Sequence, residues 1–447
     1  MSTAATSDSA SRSPGAFGDL RNQPANRMLR AWIISGLLYM LLPGTFLGVM
    51  NLIAISSSHG VEQVPFEWVQ AHGHAQLFGW LGSFILGIGF YSLPRRALPR
   101  MTRAWIAWGL WTLGVLLRWE ANVYLWHWRI ALPVSAAMEL GAWAISFSTA
   151  RRHRSRQSPA SGEQERVWPG WMIAVMTGSL LFGVTLITNL LATIWCVVKG
   201  TGPAFPHVFD QRFLLLAGWG FVTMFVCGFS ARWLPIFAGL KAPSDGWLRA
   251  AVATVLLAIV FAAVGAMKFA CVLLLDASVF IALALQIFEF AANPAKTEGV
   301  HPSLVVFVRL AYVWLFVAAM LGVWASQSDW NGGIWGASRH ALTVGFITTM
   351  VFCIGPRILP HFAGMKRLFS PTLMFVSLFF LTIGCGLRVV SEPLAYEGIA
   401  RLAWRVLPWS AFVELAAVTL FASNLFLTFF FAPPVHLRSS RESNNAA

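Results

Sequence analysis

Two histidines, His72 and His74 in the segment His72-Gly-His-Ala-Gln-Leu-Phe-Gly-Trp80, stand at the start of an uncharged apolar run that continues to Leu93. A third, His340 in Arg339-His-Ala-Leu-Thr-Val-Gly345, opens a second run of the same kind. A neutral imidazole is a ligand for haem iron or copper, and two such rings on different helices at one depth are what a bis-histidine centre requires. His72 and His74 point roughly 200° apart around a helix, so they cannot bind one iron together. Their spacing leaves open which of the two is the ligand. His361 lies roughly 30 Å of helical rise from His340 and belongs to an inner site or to the interface.

Other side chains fit the same chemistry. Arg118, Arg339 and Arg388 fall at outer span ends, where a guanidinium pairs with haem propionates or anchors in the headgroups. Glu139 and Glu414 fall well inside apolar runs, where an ionised carboxylate is costly. They are read as protonated groups, as a proton relay, or as hydrogen-bond partners of a histidine's non-ligating nitrogen. Met224, Met350, Cys227 and Cys353 are soft side chains that pack or bind copper. His127 and His207 are weaker outer candidates, and His153 and His301 read as solvated loop residues.

These residues need a scaffold, and composition supplies it. The chain of 447 residues is 57% apolar and 11% charged, with 22 tryptophans; its solvent is lipid. A spanning helix needs about 20 uncharged residues. Twelve runs qualify: 31–55, 72–93, 103–118, 130–149, 170–197, 212–231, 247–267, 269–291, 304–325, 338–358, 371–390 and 406–431. They are continuous, without the period-two alternation of a barrel. The expected fold is an all-α polytopic membrane protein with a single domain over 31–432. A cytoplasmic arm (1–30), expected to be disordered, precedes it, and a cytoplasmic tail (433–447) follows.

The net charge of +14 does not imply nucleic acid. Placing the N-terminus inside puts most of the basic residues, among them Arg95, Arg96, Arg100, Arg151, Arg152, Arg154, Arg156 and Arg166, in inner segments. Twelve spans with both ends cytoplasmic follow, with anionic lipid as the partner of the positive charge. The five cysteines sit in or beside spans and form no CxxC motif.

The chain also repeats itself. Arg232-Trp-Leu-Pro-Ile-Phe-Ala-Gly-Leu-Lys241 matches Arg357-Ile-Leu-Pro-His-Phe-Ala-Gly-Met-Lys366, and Leu132-Pro-Val-Ser-Ala-Ala-Met-Glu-Leu140 matches Leu407-Pro-Trp-Ser-Ala-Phe-Val-Glu-Leu415. The register sets Leu93-Pro94 over Leu234-Pro235 and Leu359-Pro360, and Gly79 over Gly220 and Gly345. Three four-helix repeats result, 31–149, 170–291 and 304–431, arranged as a pseudo-threefold bundle. His74 aligns with Leu215 and His340, and Glu139 with Phe280 and Glu414. The first and third repeats keep the ionisable groups.

His72-Gly-His74 before Leu77-Phe-Gly79, with His340-Ala-Leu-Thr-Val-Gly345 followed by Arg357 and His361, resembles the NnrS family of bacterial membrane proteins. The resemblance extends over most of the chain. It implies a protein of the bacterial inner membrane that contains haem, expected to be of b type, with copper a further possibility. It also implies a role in nitric oxide metabolism or defence against nitrosative stress, with His72, His74, His340 and His361 as metal candidates. The family's Glu-Met after the second histidine is Ala75-Gln76 here, and its Gly-His after the tenth span is Pro360-His361. The three-times-four layout is similar, more distantly, to the catalytic subunit of haem-copper oxidases, but that family's His-Pro-Glu segment and His-His pair are missing. An oxidase or reductase subunit, and a transporter or metal-insertion factor, are the alternative functions. The residues leave open whether a substrate is turned over, and name no electron donor.

Overall fold

The computed structural model describes residues 20–93, 101–156 and 168–435. Twelve long helices account for most of them: α1 Pro24–Ser58, α2 Phe66–Ser92, α3 Thr102–Val123, α4 Trp128–Arg156, α5 Gly170–Lys199, α6 His207–Phe237, α7 Asp245–Ala263, α8 Met267–Leu285, α9 Leu304–Ser328, α10 Gly333–Phe362, α11 Pro371–Tyr396 and α12 Ala403–Phe431. Eleven are long and apolar enough to cross a membrane; α3, which carries Arg103, Arg118 and Glu120, is the exception. The chain is an all-α, multi-pass membrane protein.

Both expected tails are shorter than the sequence suggests. The first helix begins at Pro24, whose missing N–H is no loss in a first turn, and buries Asn26, Met28 and Leu29 while Arg27 faces out. Asn26 Nδ2 donates to Leu20 O at 2.7 Å. At the other end, Val435 N donates to Gly364 O, Lys366 N to Pro433 O, and Leu20 N to Val435 O. Backbone pairing therefore fixes 433–435 on the turn after α10. The rest of the expected arm and tail, 1–19 and 436–447, lies outside the described residues, as do Pro94, Arg95, Arg96, Arg100 and Arg166. The side chains of Arg152, His153, Arg154 and Arg156 lie outside them too.

Helix packing follows the repeat. The first two helices of each unit pack together (α1 with α2, α5 with α6, α9 with α10), and so do the last two (α3 with α4, α7 with α8, α11 with α12). Units join through α4–α5, α8–α9 and α12–α1, which closes a ring. Inside it stand α2, α6 and α10, with 67%, 83% and 67% of their apolar stretches buried against at most 50% in the other apolar spans.

Each inner helix widens into π turns at one register: Ala75–Gly82, Leu216–Thr223 and Ala341–Thr348, directly after His74, Leu215 and His340. A π turn holds an extra residue and loosens the carbonyl ladder. In α6 and α10 a threonine closes it, Thr223 Oγ1 donating to Gly218 O at 2.9 Å and Thr348 Oγ1 to Thr343 O at 2.8 Å. A fourth π segment, Met40–Phe46, lies in α1 around Pro43, where the ring deletes one donor; Thr45 Oγ1 donates to Met40 O at 2.8 Å. Within the π turns, Gly79 and Gly345 leave room for Tyr39 of α1 and Trp314 of α9, the first helices of their own units.

Candidate metal centre

The histidines sit where α2 and α10 enter their π turns. His72 Nδ1 lies 2.8 Å from Gly44 O, in the π segment of α1, and its ring fills the space that a side chain on Gly48 would take. A carbonyl oxygen only accepts, so Nδ1 carries the proton and Nε2 keeps its lone pair. One turn on, Gln76 Nε2 donates to Thr45 Oγ1 at 2.9 Å, so α2 grips the widened turn of α1 twice. Gln76 thus seats the first helix.

His340 is arranged alike. Its Nδ1 is 3.2 Å from Gly336 O and 3.7 Å from Glu392 Oε2 of α11, both acceptors, which again leaves Nε2 open. Glu392 is held by Arg388 Nη2 at 3.0 Å, one turn back on the same helix. Its carboxylate occupies the notch left by Gly336, where an added Cβ would collide with Oε1.

His74 differs. It is buried, stacks on Phe78 at 4.6 Å, and its Nε2 lies 2.8 Å from Glu139 Oε1 on α4. Both partners are shielded from solvent, with side chains 6% and 0% exposed. This is the histidine-to-carboxylate bond anticipated as one role for Glu139. Glu414, its counterpart by sequence register, packs against Gly384 of α11 while His340 turns to Glu392, so the two repeats use different carboxylates.

What the repeats share is a notch. Gly114 and Gly384, each four residues before an arginine, receive Glu139 and Glu414, together with the carbonyls of Ser135 and Ser410. Arg118 is 2% exposed and lies over the Phe205 ring at 4.8 Å. Nε and Nη1 of both Arg118 and Arg388 are buried and have no hydrogen-bond partner among the described residues. Such orphans are costly, and an anionic group placed there would satisfy them. Arg339 is half-buried beside His340.

Sequence reasoning passed over Glu392, Gln70 and Asp210. Gln70 Nε2 donates to Asp210 Oδ1 at 3.1 Å and to Phe205 O at 3.0 Å, and its Oε1 accepts from Phe205 N, pinning α2 to α6. The available signal was the Arg388-x-x-x-Glu392 spacing of an intrahelical ion pair.

The remaining candidates stand apart from this cluster. His361 ends α10 beside Arg357, Glu298 and Arg367, at the opposite end of the bundle. His127 meets the Trp126 ring edge-on, His207 lies 3.5 Å from Gln211 Nε2, and His301 bonds Ser303 Oγ. Cys227, Cys353, Met224 and Met350 are buried core side chains. Among the described residues, no three His, Cys, Asp or Glu side chains are gathered as a metal cage.

A family model described as a domain of unknown function (DUF8744) matches residues 239–428. The match covers less than half of the chain: it includes His340, Arg388, Glu392 and Glu414 and stops short of His72 and His74. None of the curated proteins compared with the chain matches it.

Proposed function

We propose that this protein binds haem between α2 and α10, with His72 and His340 as iron ligands, and handles nitric oxide or a related nitrogen oxide in the bacterial inner membrane. The supporting observation is the matched state of the two rings: each commits Nδ1 to a backbone carbonyl and leaves Nε2 free to bind a metal, the usual arrangement for ligating histidine. The unpartnered N–H groups of Arg118 and Arg388 suit carboxylates such as propionates. When bound, the haem would supply an iron able to change oxidation state.

The protein's own residues do the rest. The carbonyls of Gly44 and Gly336 fix ring orientation. Glu392, held by Arg388, adds negative charge beside His340, and so strengthens it as a ligand. His74 and Glu139 share one proton between Nε2 and Oε1, a place to hold or pass a proton within the bilayer. Copper enters no step of this proposal. The arginine distribution of the sequence supports cytoplasmic ends.

Absorption spectra of detergent-purified protein, oxidised and reduced, with and without nitric oxide, test this. Haem bands that shift between the oxidised and the reduced protein are expected; protein that stays colourless after haem is offered overturns the reading. A transporter or metal-insertion factor is the second reading, favoured by π turns repeated in all three inner helices. Colourless protein that moves a metal ion or proton into vesicles would select it.

A further inference from the structure

The middle unit carries Leu215 where its neighbours carry histidine, and at this level the bundle is hollow. A cavity of about 50 Å³ opens between α6, α8, α9 and α10, lined by Leu215, Trp219, Leu274, Ala319, Gly322 and Leu342 among others. Small side chains on α9 create it: Gly322 faces Ser338 Oγ and Cys271 Sγ only at ordinary contact distances of 3.4 and 3.8 Å from where a Cβ would sit. A water-sized molecule needs roughly 10–15 Å³ of such space, and apolar cavities stay dry and take up apolar guests such as xenon. Most of the lining is aliphatic or aromatic; Gln211, Ser338 and Arg339 mark one side, and Ser338 Oγ is already bonded to Ala318 O at 2.8 Å.

We infer that this cavity is a holding site for a small uncharged gas, nitric oxide or dioxygen, held between the middle and the third units. Two observations support it. The volume, about 50 Å³, is several times what one water-sized molecule needs. Its walls offer apolar contact to a guest that dissolves better in hydrocarbon than in water. The middle repeat, having no histidine at this register, supplies Leu215 and Trp219 to the cavity wall. The inference rests on the proposed nitrogen-oxide function for its purpose but not for its test.

The test uses xenon on the whole protein, crystallised in detergent and pressurised, with anomalous diffraction as the readout. A xenon atom among Leu215, Leu274, Ala319 and Leu342 is expected. It should be lost in Gly322→Leu and in Ala319→Leu, two fillings made separately so that one misfolded variant does not decide the matter, each checked by its unfolding temperature. An empty or water-filled cavity under pressure overturns the inference, and so does xenon that persists there in both folded variants. A protein that binds xenon here yet shows no haem spectrum would refute the proposed function and leave the gas site standing.

Discussion

Glu139 Oε1 accepts from His74 Nε2 at 2.8 Å across the α2–α4 boundary, with neither side chain in reach of water. The register mate of His74, His340, instead meets Glu392 of a different helix at 3.7 Å and keeps its side chain 26% exposed. Two copies of one plan have thus diverged into a closed hydrogen-bonded pair and an open ligand.

Removing one member of the closed pair should cost far more than softening it. His74→Ala strands a buried carboxylate and should lower stability by about 3–5 kcal/mol, whereas Glu139→Gln keeps a hydrogen-bond acceptor and should cost about 1 kcal/mol. Thermal unfolding in detergent measures both; equal losses would show that the pair carries no special weight.

The ring nitrogens sort the ligands. His72→Ala and His340→Ala should each abolish the six-coordinate haem spectrum, while His74→Ala, at an unfolding temperature it still survives, should retain it. Full spectral retention in His340→Ala would refute the pairing of α2 with α10.

Gly336 exists to admit a carboxylate. Gly336→Ala should drive Glu392 from its notch and cost about 1–3 kcal/mol, but almost nothing in a Glu392→Ala background. The coupling in this double-mutant cycle, read from unfolding midpoints, should therefore be about as large as the single cost.

Glycines of the second helix fall into two groups. Gly79 abuts the Tyr39 ring, and Gly345, its counterpart in α10, abuts Trp314, so Ala at either should destabilise by about 1–3 kcal/mol. Gly73 and Gly89 face open space, and Ala there should be neutral or stabilise by up to about 1 kcal/mol through helix propensity. The same melts distinguish them. Gly79, Gly82 and Gly87 seat Tyr39, Trp111 and Trp32 of neighbouring helices.

Sequence and structure agree wherever hydrophobicity is decisive and part where it is silent. Long apolar runs specify eleven of the twelve helices because lipid admits no unpaired backbone. Their ends are less legible: α1 starts seven residues before its apolar run, since Arg27 faces outward at a membrane edge while the helix continues. The alignment of His74 with His340 was readable from Gly79 and Gly345, and it survives as the matched onset of the π turns. The turns themselves were not readable, because Leu-Ala-Gly-Trp-Gly-Phe-Val-Thr is as good an α-helix as a π one; only Pro43 in α1 gave a local sign. Glu392 escaped notice because nothing local reveals that Gly336, more than fifty residues upstream, makes room for it.

Leu20 and Val435 are hydrogen-bonded to each other, and Val435 is bonded to Gly364. Joining residues 20 and 435 through a short linker would therefore close very little new loop, and the cost of such closure grows only slowly with length. The polypeptide could then be cut between α4 and α5, or between α8 and α9, with every helix keeping its neighbours. Circularly permuted versions starting at either junction should insert and assemble, which would make the order of the three units along the gene a historical matter and not a folding requirement.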